Sequence, residues 1–212
     1  MKKTLLAIAA LTALTSGAAM AQQQDGKWMV RMRAVHIDSS NGGSTSRADS
    51  LGLSVSNKTI PELDISYFFT PNFAAELILT YPQKHDIRSN GALGNLGKIG
   101  TVKQLPPTLL AQYHFTNFGA FKPYVGAGIN YTRFSSAKFD AGVDAALQPS
   151  VKKNSWGGAL QVGFDYALDK NWSINFDVKK VYMKTDVYSF GSKVGDLKID
   201  PVLVGVGVGY RF

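Results

Sequence analysis

From Val202 to Phe212 the chain reads Val-Leu-Val-Gly-Val-Gly-Val-Gly-Tyr-Arg-Phe, a two-residue alternation that runs unbroken to an aromatic side chain. Side chains of a strand point to opposite faces in turn. Val202, Val204, Val206, Val208, Tyr210 and Phe212 therefore make one apolar face, opposite Leu203, three glycines and Arg211. A strand that is greasy on one side, small or polar on the other, and aromatic at its end has the pattern of the last strand of an outer-membrane barrel. Tyr210 and Phe212 are then the expected barrel-assembly signal, read by the outer-membrane assembly machinery.

Seven earlier segments alternate in the same way: 27–36, 59–69, 73–81, 101–115, 121–134, 155–168 and 172–186. Short turns at 70–72, 117–119 and 169–171 take turns with long polar stretches at 38–57, 82–100, 135–154 and 191–196. An even strand count with connections of alternating length predicts an all-β fold, an eight-stranded antiparallel up-and-down transmembrane barrel with both termini on the short-turn side. Within the fourth segment, Pro106 and Pro107 cannot donate ladder hydrogen bonds. A bulge or gap is expected there, and in a closed wall a gap is a lateral opening.

The first residues stand apart. Lys2 and Lys3 precede an apolar run over 5–14, and Ala19-Met20-Ala21 is an A-x-A cleavage signature. The reading is a cleaved signal peptide over 1–21, with residues 22–212 forming one barrel in the outer membrane of a Gram-negative cell. No segment supplies the roughly 20 consecutive apolar residues that a spanning helix needs. The chain has no cysteine, which excludes disulfides and thiolate sites. Its net charge of +8 is scattered rather than gathered in a run, so no nucleic-acid role is expected.

Alternation alone does not say which face is the core, since a soluble eight-stranded lipid carrier has the same period turned inside out. Three features favour the membrane. Aromatic residues gather at both ends of the apolar faces as two belts, the opposite face is rich in Gly, Ala and Ser as a narrow interior requires, and the segments reach the roughly 9–11 residues of a spanning strand.

The inner face then carries Arg31, Arg33, Glu62, Asp64, Glu76, Asp165, Asp177, Lys179 and Arg211. Charges in a low-dielectric slab must be paired or wet. Arg31, Arg33, Glu62, Asp64, Asp165 and Arg211 are expected to form a network plugging the periplasmic half. Ile78, Lys179, Glu76 and Asp177 are candidates for the lumen path. His85-Asp86 is expected in a solvated loop, and His114 as a hydrogen-bonded partner of the plug. No nucleophile, base and orienting group are placed together, and no cluster has metal-ligand spacing, so neither an enzyme nor a metal or cofactor site is expected.

With strands, leader and long loops in place, the wording of three blocks becomes informative. Leu105 through Gln112 (LPPTLLAQ), Lys122 through Thr132 (KPYVGAGINYT) and Ser155-Trp156-Gly157 resemble the OmpW family of outer-membrane proteins, which includes AlkL-like hydrocarbon-uptake proteins. The resemblance spans essentially the whole mature chain. It implies a narrow channel with an apolar extracellular entrance, passive uptake of small hydrophobic solutes, and exit sideways into the lipid bilayer, for which Pro106 and Pro107 are a sensible place. One position departs: Lys179 stands where a family member has an apolar constriction, while Ile78 keeps the apolar character. Pairing with Glu76 or Asp177 would neutralise that cation. The competing reading is a structural or interaction protein whose extracellular loops act as a receptor or adhesion surface.

Overall fold

The computed structural model describes residues 26–39, 42–43, 53–89 and 97–212. The leader expected over 1–21 lies outside them. Among the described residues, eight strands close into a ring in which each pairs antiparallel with its sequence neighbours. They are β1 (Trp28–Asp38), β2 (Lys58–Phe68), β3 (Phe73–Leu79), β4 (Thr108–His114), β5 (Phe121–Phe139), β6 (Asn154–Ala167), β7 (Trp172–Val181) and β8 (Val202–Arg211). The seam joins β8 to β1, where Trp28 N donates to Phe212 O at 3.1 Å and Phe212 N to Trp28 O at 2.8 Å. Closure matters because hydrocarbon offers a strand edge no partner, and each unsatisfied backbone group there costs several kcal/mol.

The ring is inside out relative to a soluble protein. Val162 and Val206 are 57% and 55% exposed, whereas Arg31, Arg33 and Glu76 are at most 1% exposed. Apolar side chains facing outward around a charged interior are stable only when the outer solvent is lipid, and the soluble-carrier alternative requires the reverse arrangement. Aromatic pairs mark both rims: Trp28 with Tyr67, Phe73 with Tyr113 and Trp172 with Tyr210 near the short turns, and Tyr131 with Trp156 toward the other end. Inside, small residues let neighbouring backbones and long side chains share a narrow bore. A Cβ at Gly128 would lie 1.9 Å from Leu109 O, and one at Gly207 would lie 2.0 Å from Met32 O.

Above the rim the strands continue where loops were expected. The stretch 82–100 is largely a hairpin, Gln83–Ser89 against Gly97–Leu105, which pairs onward with the upper part of β5. Leu53–Val55 adds to its free edge. A second sheet joins Pro149–Val151, Lys184–Ser189, Ser192–Lys198 and Gly42–Gly43. Between β5 and β6 runs a helix, Ala141–Leu147. These pieces lack a lipid-facing apolar row because both of their faces lie outside the bilayer, so their alternation is of a different chemical kind: Gln83, His85 and Ile87 point inward and Lys84, Asp86 and Arg88 outward.

Among the described residues, the wall is interrupted where the two prolines lie. Between the third and fourth crossings the ladder stops at the Ile78–Thr108 pair and resumes at Gln83–Gln104. Leu79 to Pro82 on one edge face Leu105 to Pro107 on the other. The fourth crossing was expected to break at the prolines, and the third breaks opposite it. On its other side β5 runs on past the prolines without interruption.

Candidate functional site

The lumen is built in layers. Its lower half holds a network in which every charge is buried. Arg31 grips Asp165 with two hydrogen bonds, Nε to Oδ1 at 3.1 Å and Nη2 to Oδ2 at 2.7 Å, while Nη1 donates to Glu76 Oε2 and Ser66 Oγ, both at 2.8 Å. Arg33 reaches Glu76 at 3.1 Å, and its ion pairs with Asp64 (2.9 Å) and Asp177 (2.7 Å) are close without being aligned as hydrogen bonds. Gln161 bridges Glu76 and Asp177, and Gln112 bridges Glu76 and Gln161. Four carboxylates thus surround two guanidiniums. Bidentate, charge-assisted geometry of this kind is what offsets the cost of taking ions out of water.

Lys179 pairs at 2.5 Å with Glu62 and at 3.3 Å with Asp177. The Asp177 partner was expected; Glu76 is instead taken by the two arginines, and Glu62 is the partner that alternation could not assign. Arg211 sits lower, its guanidinium 3.7 Å from the Phe68 ring centroid and its Nε donating to Gly26 O at 2.6 Å. His114 faces Gln112 Oε1 at 3.1 Å and lies between the rings of Phe68 and Tyr124. Tyr210 and Phe212 lie on the lipid face with their rings stacked at 6.0 Å. Among the described residues no cluster of His, Asp and Glu is arranged to hold a metal ion.

Directly above the Glu62–Lys179 pair lies a cavity of ≈ 30 Å³, room for about two waters. Its walls are apolar: Ile37, Ile60, Ile78, Val181, Met183 and Leu203. On one side its lining is made of the residues that flank the ladder gap, Thr80, Gln83, Gln104, Pro106 and Thr108. Above it an apolar cluster of Ile87, Ile99, Val102, Phe134 and Ile199 continues away from the short turns.

A break at rim depth must still satisfy its backbone. Tyr131 N donates to Pro107 O at 3.0 Å, and Asn130 Nδ2 lies 3.3 Å from both Pro106 O and Pro107 O. Gln83 Nε2 donates to Tyr81 O at 2.9 Å. The carbonyls of the two prolines are therefore capped by side chains and by β5.

His85 corrects the loop expectation. It is buried on the inward face of the Gln83–Ser89 strand, with Nδ1 3.1 Å from Ser56 O and Nε2 3.0 Å from Gln104 Nε2. An amide N–H facing Nε2 fixes the neutral tautomer with its proton on Nδ1. Burial holds its pKa below the usual histidine value. Asp86 points the other way, and its hydrogen bond from Lys98 holds the carboxyl below the usual range.

A closed ring of eight strands with a lipid-facing apolar surface and an ion-paired interior defines an outer-membrane β-barrel. The sequence profile of the OmpW family matches residues 24–212, and the chain belongs to that family. It is 48% identical over 191 residues to the outer-membrane protein y4mB of Sinorhizobium fredii, covering 87% of this chain and 80% of that one. Outer membrane protein W of Vibrio cholerae is 37% identical over the full length of both chains. The crystal structure of OprG from Pseudomonas aeruginosa superposes with a TM-score of 0.75 at 30% identity, covering 91% of this chain and 99% of that one. The protein is accordingly placed in the outer membrane.

Proposed function

We propose that the protein is a passive channel for small hydrophobic molecules, which enter an apolar lumen from outside and leave sideways between the third and fourth crossings at Pro106 and Pro107. The observation that carries this reading is a single cavity whose lining joins apolar walls, a charged floor and both lips of the ladder gap. An uncharged apolar molecule has no favourable path downward, because passing Arg31, Arg33, Glu62, Asp64 and Asp165 means separating buried ion pairs and offers nothing in return. The lipid beside the gap is favourable by about 25 cal/mol per Å² of apolar surface withdrawn from water. Transfer needs no energy source, and the barrel contributes only a route.

In this reading Glu76, Asp177 and Arg211 complete the plug, while Ile78 and Lys179 set the narrowest level of the path. Room for a solute comes from side chains that move, and Met183, with its flexible thioether chain, is the lining residue best suited to that. Tyr210 and Phe212 serve assembly rather than passage. The test is uptake of labelled octane by cells with and without the protein. Replacing both prolines, Pro106→Val with Pro107→Val, restores two ladder donors and is expected to bring uptake back toward the barrel-free rate. Unchanged uptake in a variant that still folds would rule out the sideways exit.

A further inference from the structure

The lips of the gap are not apolar. Gln83 and Gln104 are 0% and 3% exposed and stand directly opposite one another across the strand pair. Each spends its amide N–H₂ elsewhere, Gln83 on Tyr81 O and Gln104 on the His85 ring. Their Oε1 atoms, together with Thr80 Oγ1, are buried and find no hydrogen-bond partner among the described residues. All three residues line the cavity. The neighbouring donor groups bond to other acceptors: Asn130 Nδ2 to Thr108 Oγ1 and the two proline carbonyls, Lys179 Nζ to Glu62 and Asp177. Two carbonyl oxygens and one hydroxyl, none with a hydrogen-bond partner among the described residues, thus belong to the lining of one cavity.

We infer that this lip is a selectivity site for uncharged solutes that carry one hydrogen-bond donor, a phenol or alcohol hydroxyl on a small apolar body, in preference to the bare hydrocarbon. The inference rests on the channel reading and narrows its substrate class. A buried acceptor left without a donor is costly, and a solute hydroxyl removes that cost while its apolar part meets Ile37, Ile60, Ile78 and Leu203. A site that presents acceptors discriminates against molecules lacking the donor. It also disfavours carboxylates, whose oxygens would face the two Oε1 atoms, and the cation in the described lining, Lys179, is already neutralised by its two acidic partners.

The test compares p-cresol, toluene and 4-methylbenzoate, which share ring and methyl group. Uptake is measured in cells producing the full chain, each rate corrected for cells without it. The expected result is a preference of about tenfold for p-cresol over toluene, the worth of one neutral hydrogen bond, with 4-methylbenzoate at background. In Gln83→Met with Gln104→Met, similar in volume, the preference should collapse to about onefold while toluene uptake persists. Gln104→Asn, which withdraws one acceptor by a methylene, should fall between. Heat-dependent gel mobility confirms that each variant is folded.

A ratio unchanged by these substitutions overturns the inference and leaves the channel intact. Failure of every solute to exceed background overturns the channel itself. The lip is then judged by the side-chain carbonyl ¹³C resonances of Gln83 and Gln104 in lipid nanodiscs. A shift with p-cresol and none with toluene upholds the inference, and no shift with either overturns it.

Discussion

Glu76 touches no solvent and joins four other strands of the ring. Its Oε2 accepts from Arg31, Arg33, Ser66 and Gln112, and its Oε1 accepts from Gln161. Removing such a centre leaves two guanidiniums short of a counter-charge in a dry interior. Glu76→Leu is expected to cost about 3–5 kcal/mol, against about ±0.5 kcal/mol for Val125→Leu on the lipid face. Urea titration in lipid vesicles measures both, read by the fluorescence of Trp28, Trp156 and Trp172, all of which lie on the lipid face. That Glu76 faces inward was legible from alternation alone. Its partners were not, because a period-two pattern assigns a side but not a height or a neighbour across the bore, and for the same reason Lys179 pairs with Glu62, which was not foreseen, beside Asp177, which was.

The hairpin Gln83–Ser89/Gly97–Leu105 shows the limit of pattern reading at the scale of elements. Outside the bilayer an outward position has no need to be apolar, so Lys84, Asp86 and Arg88 disguised a strand as a polar loop. His85, on its inward side, gives this element a pH dependence. The groups acting on it are the Ser56 carbonyl and Asp86, which favour the imidazolium, and burial and Lys58, which oppose it, with burial dominant. The folded value therefore lies below that of the unfolded chain, about 6.5. As pH falls through that value the unfolded hairpin gains a proton that the folded one does not, and stability drops. The protection factors of residues 83–89, exchange rates taken against the intrinsic rate at each pH, should fall between pH 7 and pH 5, and His85→Gln should remove the fall. An unchanged pH profile in that variant would contradict the assignment.

At the scale of the whole molecule the barrel survives because its outer surface matches lipid and its edges meet. Val206→Lys, at a position midway along β8 and 55% exposed to the acyl chains, is expected to cost about 2–4 kcal/mol by urea unfolding in vesicles. An effect near zero would mean that this face does not meet hydrocarbon. The eight crossings, their order, the lipid-facing side of each and the weak point at Pro106-Pro107 were all determined by the sequence by itself, since alternation and proline's missing N–H act locally along the chain. What only the tertiary structure decided was how those local facts meet: which carboxylate holds which cation, that the third crossing breaks opposite the prolines, and that Thr80, Gln83 and Gln104 share one opening. Closing a sheet into a ring brings together residues from all eight strands at distances set by the register around the whole circumference, and no single segment carries that information.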